Sequence, residues 1–255
     1  MLTIRTEQLQ TLTGVSYRAF EDQLVDHCRS FAERLFQLRG EACIRRVVRT
    51  GMQQAREQGF TRRGPVRFWI ELMFAFGHRF ASDPQLTWSA AALADTSLAE
   101  ADRAARLFAA MQGWQLRVEG PAKAWALAAL RNVAALPWDQ IIQPGAAFEA
   151  QALAAMQRIY PQKAQAAGDD ALRRIVAQAE AHADAHNIAA LPQRALLAGL
   201  MFGFGHGVLD DPLYPWVAAT LSSGRYADIG QRTERLAAKT RIYVDAMARH
   251  LDDNG

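Results

Sequence analysis

Apolar residues recur every three or four positions through much of this 255-residue chain, which is the spacing of a helix with one buried face. One such stripe consists of Ile44, Val47, Val48, Met52 and Ala55. A second stripe, 128 residues later, consists of Leu172, Ile175, Val176, Ala179 and Ala183. The pattern predicts a helix over 41–58 and an equivalent helix in the second half of the chain.

The segments beside the first stripe also have helical patterns. We expect a helix from about Tyr17 to Leu38, ending near Gly40, because glycine suits a helix C-terminus. The segment 65–80 contains FWIELMFAF and is apolar almost all round, which is typical of a central, buried helix. Its counterpart over 193–208 is rich in glycine, which allows another helix to approach closely.

The segments MFAFGHRFASDP and MFGFGHGVLDDP begin at residues 73 and 201, and they belong to a longer internal repeat. They are called the two copies of the repeated segment below. Shifted by 128 residues, the chain aligns with itself without a gap over roughly 74 positions, about twenty of them identical. The sequence therefore predicts an all-α bundle of two homologous helical repeats related by pseudo-symmetry. The repeats span 1–94 and 146–255, the second ending in a long helix over about 229–251. Between them, 95–145 holds connecting helices, a short extended segment at 114–120 and a linker at 137–145.

Each copy of the repeated segment places a histidine five residues before an aspartate. We expect His78 and His206 to end buried helices, where the helix dipole favours a cation. We expect each Asp-Pro pair to start a short helix as cap and first residue, with a tryptophan one turn later packed on the core. This predicted structural motif comprises Asp83, Pro84, Trp88, Asp211, Pro212 and Trp216. The alternative is that the two histidines and two aspartates converge as an acid–base or metal site.

Other candidate reactive residues have a structural interpretation. His182 and His186 lie four apart in EAHADAH, a spacing that can hold zinc on one helix face. The first copy has glutamines there, so we expect an exposed pair without metal. Cys28 and Cys43 form no CxxC motif and are expected to be small core residues. With no Walker loop, GxGxxG after a strand or GxSxG motif, we predict no catalytic residue, cofactor or metal.

Charge is distributed unevenly, although the net charge is only +3. Residues 29–67 contain ten arginines and three glutamates. These arginines could line solvated helix faces or form a docking face for an acidic partner. Nucleic acid is not favoured, because no aromatic residues interleave with the arginines. No apolar run is long enough for a membrane span, and no signal peptide is evident. Because the two cysteines form no disulfide framework, we expect a reducing, cytoplasmic compartment.

Residues 4–93 contain IRTEQLQTL, GEACIRRVVRTGMQQAREQGF and FWIELMFAFGHRFASDP. These strings resemble small all-helical accessory proteins encoded beside type VI secretion effectors and their adaptor and PAAR proteins. The chain looks like a tandem version, because residues 148–221 match the later half of the pattern. That copy keeps the D-P-x-x-P-W form, whereas the first copy has Thr87 in place of the second proline. The resemblance implies an accessory role and implies no catalytic residues.

The predicted function is a non-enzymatic, protein-binding accessory or co-chaperone of a type VI secretion effector or its adaptor in the bacterial cytoplasm. One alternative is an immunity protein that binds and neutralises a toxin. A more distant alternative is a metal-dependent hydrolase that uses His78 and His206. The partner is predicted to be a protein, with no nucleic acid and no membrane insertion. The candidate contact set is Arg45, Arg46, Arg49, Arg62, Arg63 and Arg67.

Overall fold

The computed structural model describes residues 6–136, 142–143, 147–225 and 228–253. These residues form thirteen α-helices, and no β-strand occurs among them. The predicted all-α class is therefore confirmed. Within the same ranges, no helix combines the length and hydropathy needed to cross a membrane.

Seven helices make up the first part of the chain. They are α1 (Thr6–Phe31), α2 (Glu33–Arg39), α3 (Glu41–Glu57), α4 (Arg63–Phe76), α5 (Thr87–Leu93), α6 (Glu100–Val118) and α7 (Ala124–Ala135). The remaining six are α8 (Phe148–Ile159), α9 (Pro161–Ala167), α10 (Asp169–Ala185), α11 (Leu191–Phe204), α12 (Pro215–Leu221) and α13 (Ile229–Asp253). Each boundary of α9 to α12 lies 128 residues after the corresponding boundary of α2 to α5.

The helices pack in a similar way in the two parts of the chain. Helix α3 packs against α4 and α1, and α10 packs against α11 and α8. Helix α6 lies on α4 and α5, and α13 lies on α11 and α12. The sequence did not indicate that α6 and α13 occupy corresponding places. A single apolar cluster runs from Leu24 to Leu236 and includes both predicted stripes, so the two parts share one core.

Several predicted helix boundaries are wrong for local backbone reasons. The helix predicted over 17–38 is two helices, α1 and α2, because Ala32 leaves the helical region at φ −134°. The buried helix predicted to reach residue 80 ends at Phe76, because Gly77 has φ +93°. The predicted extended segment at 114–120 is mostly the end of α6, which runs to Val118. The predicted linker at 137–145 lies outside the described residues except for 142–143.

Candidate functional site

The two copies of the repeated segment meet at their Gly-His pairs, at the ends of α4 and α11. Gly77 and Gly205 have φ of +93° and +97°, a region that favours glycine. A Cβ atom on Gly77 would lie 2.9 Å from the Phe204 carbonyl oxygen, and one on Gly205 would lie 2.6 Å from the Phe76 carbonyl oxygen. Glycine is therefore required at both positions by backbone conformation and by the close approach of the other chain segment.

The aspartate in each copy of the repeated segment binds the Gly-His turn of the other copy. Asp211 Oδ2 accepts the backbone N–H of His78 at 2.8 Å, and Asp83 Oδ2 accepts the backbone N–H of His206 at 2.8 Å. The second oxygen of each carboxylate accepts a local N–H: Asp211 Oδ1 from residue 213 at 2.7 Å and Asp83 Oδ1 from Gln85 at 2.9 Å. Both carboxylates are buried. They therefore join segments that are more than 120 residues apart.

The prediction that these aspartates cap the following helices is wrong. Helix α5 begins at Thr87 after the cap residue Leu86, and α12 begins at Pro215 after the cap residue Tyr214. Neither Pro84 nor Pro212 is therefore a first helical residue; Pro215 takes that place in α12. The physical reason is that the carboxylates already accept N–H groups from the facing turn and from the residue two positions onward.

The histidines lie one residue beyond the glycines that terminate α4 and α11, rather than in the last helical turn as predicted. His78 Nδ1 is 3.1 Å from Asp211 Oδ2, and His206 Nδ1 is 3.4 Å from Asp83 Oδ2. Neither contact has the alignment of a hydrogen bond. The structure thus brings together the two histidines and two aspartates, which was the alternative left open by the sequence.

Burial and hydrogen bonding oppose each other at Asp83. Burial acts to raise its pKa, but the nearby His206 imidazole together with the hydrogen bonds from the backbone N–H groups of His206 and Gln85 outweighs that effect. The pKa of Asp83 consequently lies below its ordinary value of 3.8. The carboxylate is ionised at neutral pH and forms charge-assisted hydrogen bonds, which are stronger than neutral ones.

A serine also approaches this cluster, in the order of a Ser–His–Asp relay. Ser82 Oγ lies 3.5 Å from His206 Nε2, and Asp83 lies on the opposite side of the ring. However, Ser82 Oγ donates its only proton to the carbonyl oxygen of Arg79 at 3.2 Å. The carbonyl oxygen is the nearer acceptor and competes with the imidazole for the proton that a nucleophilic serine must give up. In the second copy the corresponding position is occupied by Asp210, whose carboxylate is 3.7 Å from the other imidazole.

The other predicted metal candidates lie at a helix end. His182 is in the last turn of α10, and His186 is its C-terminal cap residue. Both side chains are exposed, as expected. Partial loss of hydration at the helix surface, together with the neighbouring His186, lowers the pKa of His182. Within the described ranges, no three His, Cys, Asp or Glu side chains are grouped so that they could hold a metal ion.

The tryptophans that follow each copy of the repeated segment pack on aromatic side chains. Trp88 is buried edge-to-face on Phe76 with ring centroids 5.4 Å apart. Trp216 is half-buried beside Tyr243 of α13, with centroids 5.9 Å apart. These contacts agree with the predicted fold-back of each tryptophan onto the core.

Both cysteines are buried free thiols, as expected for small core residues. Burial, with the Glu71 carboxylate acting in the same direction, raises the pKa of Cys28 to about 12. That thiol is therefore protonated at neutral pH and a poor nucleophile. Cys43 donates its S–H to the carbonyl oxygen of Pro212 at 3.1 Å, adding another contact between the two parts of the chain.

Two of the six candidate arginines bind a buried acid inside the fold. Arg45 and Arg49 of α3 both contact Glu21 of α1, at 2.9 Å and 3.0 Å. Arg45 also contacts Asp22 and Glu41, at 2.6 Å and 2.8 Å. Burial acts to raise the pKa of Glu21, but hydrogen bonds from Arg49 and Arg45 outweigh it and lower that pKa. These two guanidinium groups therefore hold α1 against α3.

Two more candidate arginines are engaged on α4. Arg63 donates to Gln23 Oε1 at 3.0 Å and its guanidinium lies 5.4 Å from the Phe20 ring centroid. Arg67 is 3.5 Å from Glu71 on its own helix. The six arginines thus do not form one uniform basic face, because four of them contact neighbouring side chains.

Arg46 and Arg62 differ from the other four. Both are exposed, and no side-chain hydrogen bond or ion pair joins either of them to another described residue. The backbone N–H of Arg62 donates to Glu100 at 2.7 Å, which fixes the start of α4 while leaving the guanidinium in solvent. Of the exposed arginines in the predicted contact set, these two are the ones without a side-chain partner among the described residues.

Glu21 was not among the predicted site residues, although the sequence contained a signal for it. The pair Phe-Glu at 20–21 recurs 128 residues later, as does the arginine at position 45. In the second copy, Arg173 lies 3.5 Å from Glu149, which repeats the contact between Arg45 and Glu21. An acid and a base that recur together at the same offset thus indicated an ion pair between two helices.

Comparison of the chain with protein-family models, with curated proteins and with solved structures gives no match.

Proposed function

We propose that this chain is a non-enzymatic accessory or co-chaperone that binds a type VI secretion effector or its adaptor. The observation that carries the proposal is the resemblance, which rests in part on the D-P-x-x-P-W pattern at 211–216 and its variant D-P-x-x-T-W at 83–88. The geometry supports a structural role for that pattern, because both carboxylates accept two backbone N–H groups each. The motif residues then build the scaffold, and binding is assigned to exposed side chains elsewhere.

The scaffold of this proposal is a pseudo-symmetric pair of repeats. It is supported by the equal spacing of the helix boundaries and by three pairs of positive-φ residues at the same offset. These pairs are Gly40 with Gly168, Gly59 with Asn187, and Gly77 with Gly205. The reciprocal hydrogen bonds of the two aspartates support a two-fold relation. We assign the repeats to 1–94 and 146–255, with 95–145 between them.

The partner surface of this proposal centres on Arg46 and Arg62, which are exposed and uncompensated among the described side chains. A partner with an acidic surface would be steered towards them, since complementary charge raises the association rate and fixes orientation. Arg45 and Arg49 are less suitable contacts, because binding would have to compete with Glu21 for their guanidinium groups. Arg63 and Arg67 are likewise engaged on α4.

Co-purification with an effector or adaptor of the kind that the resemblance implies tests the proposal. Arg46→Glu combined with Arg62→Glu should reduce capture of the partner without changing the melting temperature, because neither side chain supports the fold. Arg174→Glu is the matched control, since Arg174 occupies the position of Arg46 in the second copy and is also exposed. Equal capture by all three proteins would reject this surface.

Growth assays distinguish an accessory from the immunity alternative. An accessory protein is needed for secretion of the effector, whereas immunity requires rescue of cells that express the toxin alone. We expect loss of secretion on deletion of this chain and no rescue by the chain alone. Rescue without any effect on secretion would replace the accessory role with immunity.

A further inference from the structure

A large cavity lies between the two parts of the molecule, next to the paired Gly-His turns. Its volume is about 570 Å³, and its wall is mainly apolar, including the side chains of Phe74, Met156 and Val244. An engineered apolar cavity of about 150 Å³ in another protein holds one benzene molecule. A cavity almost four times larger therefore has room for an alkyl chain of ten or more carbons.

The cavity wall also contains a lysine whose donors are only partly used. Lys163 Nζ donates to the carbonyl oxygens of Phe202 at 2.5 Å and Gly203 at 3.3 Å, near the C-terminus of α11. An ammonium group has three N–H donors, so one remains for a further acceptor. Burial lowers the pKa of Lys163 to about 8, against the opposing effect of Asp83, and the group is still largely charged at pH 7.

Two buried polar atoms of the cavity wall lack hydrogen-bond partners in the described part of the chain. They are the Oε1 atom of Gln85 and the indole Nε1 of Trp114, on side chains that are 1% and 6% exposed. Unpaired buried polar atoms are uncommon and costly, and a bound molecule or water is one explanation. The lysine and these two atoms come from α9, the loop before α5, and α6, so three separate elements converge on the cavity.

Two acids also line the cavity, Asp83 and Glu119, and each accepts hydrogen bonds from neighbouring groups. Asp83 accepts backbone N–H groups from Gln85 and His206 at 2.9 Å and 2.8 Å. Glu119 accepts from Gln115 Nε2 at 3.1 Å. Lys163 and Trp114 each retain an N–H donor for a ligand, whereas both carboxylate oxygens of Asp83 already accept hydrogen bonds.

We propose that this cavity binds a single-chain amphiphile with an anionic head group, such as a medium-chain carboxylate. The head group accepts hydrogen bonds from Lys163 and Trp114, and the alkyl chain occupies the apolar space between α4, α7, α11 and α13. A ligand site here is separate from the partner surface at Arg46 and Arg62. Failure of one proposal therefore leaves the other standing.

Isothermal titration calorimetry with decanoate, below its micelle-forming concentration, tests the site on the full chain. We expect saturable binding of one decanoate per chain and clearly weaker binding of decyltrimethylammonium. Lys163→Met should weaken decanoate binding about tenfold or more, because a charge-assisted hydrogen bond is lost. Lys123→Met is the matched control, since Lys123 also lines the cavity but is exposed, and its effect should be within about twofold.

A spectroscopic measurement covers the case in which the lysine variant folds poorly. The indole N–H resonance of Trp114, assigned by its absence in Trp114→Phe, should shift on addition of decanoate to the unaltered chain. The proposal is overturned if decanoate does not bind saturably, or if the indole resonance stays in place. It is also overturned if folded Lys163→Met and the unaltered chain bind decanoate equally.

Discussion

Replacing Asp211 by alanine removes the carboxylate that joins the second part of the chain to the turn at His78. The side chain is fully buried, and its two oxygens accept the backbone N–H groups of His78 and Leu213 at 2.8 Å and 2.7 Å. Both N–H groups are buried with the carboxylate, so alanine would leave them without an acceptor. Water has little access to restore the lost hydrogen bonds.

The expected loss of stability follows from these two bonds. A hydrogen bond to a charged group contributes about 1.5–3 kcal/mol, so Asp211→Ala should lower the free energy of unfolding by about 3–6 kcal/mol. Folded domains are stable by roughly 5–15 kcal/mol in total. The single substitution would therefore remove a large fraction of the stability, and Asp211→Asn, which keeps one acceptor oxygen, should lie between alanine and the original residue.

Urea denaturation followed by far-UV circular dichroism measures this effect. Asp210→Ala is the control, because the neighbouring carboxylate is more than half exposed and pairs with Arg79 at the surface. Such surface pairs contribute about 0–1 kcal/mol. If Asp211→Ala lost no more stability than Asp210→Ala, the argument that buried carboxylates hold the two turns together would be refuted.

Three further substitutions test other parts of the fold. Gly205→Ala should lower the free energy of unfolding by at least about 1–3 kcal/mol from backbone strain alone. Gly203→Ala is the control, because a Cβ atom there meets open space in helix α11, and it should be neutral or stabilising by up to about 1 kcal/mol. Thermal denaturation compares the two variants. The lowered pKa of Asp83 stabilises the fold above its ordinary pKa of 3.8, and this contribution is lost as pH falls through the lower folded value. The stability difference between the original chain and Asp83→Asn should therefore shrink below pH 3.8; a constant difference would contradict the assignment. Glu21→Ala should cost about 1–2 kcal/mol in urea denaturation, discounted for the exposed arginines, and more than Asp22→Asn at the surface.

The fold class and most helix positions could be predicted because they depend on local apolar spacing. The helix predicted over 41–58 is α3, ending at Glu57, and the helix predicted over about 229–251 is α13, ending at Asp253. Both have a continuous apolar stripe, and helical periodicity is a strong signal over such lengths. Boundaries were less accurate where one residue alone decides the backbone, as at Ala32 between α1 and α2.

The role of the aspartates could not be predicted from local sequence. An Asp-Pro pair is typical of a helix start, and nothing within ten residues of Asp83 identifies His206 as its partner. The observed contact depends on how α4 and α11 meet, which is a property of the whole fold. Only the repetition of the same residues at a constant offset indicated that His78 and Asp211 could be brought together.

Each aspartate binds the turn of the other copy, and this has a consequence for a chain with only one copy of the repeated segment. Such a chain would contain the aspartate and the glycine turn, but its own aspartate does not reach its own turn in the geometry seen here. It could satisfy both groups by pairing with a second molecule, as in an isologous homodimer. Covalent linkage of two such copies would replace a concentration-dependent association by an intramolecular one, and would then free each copy to change its outer surface separately.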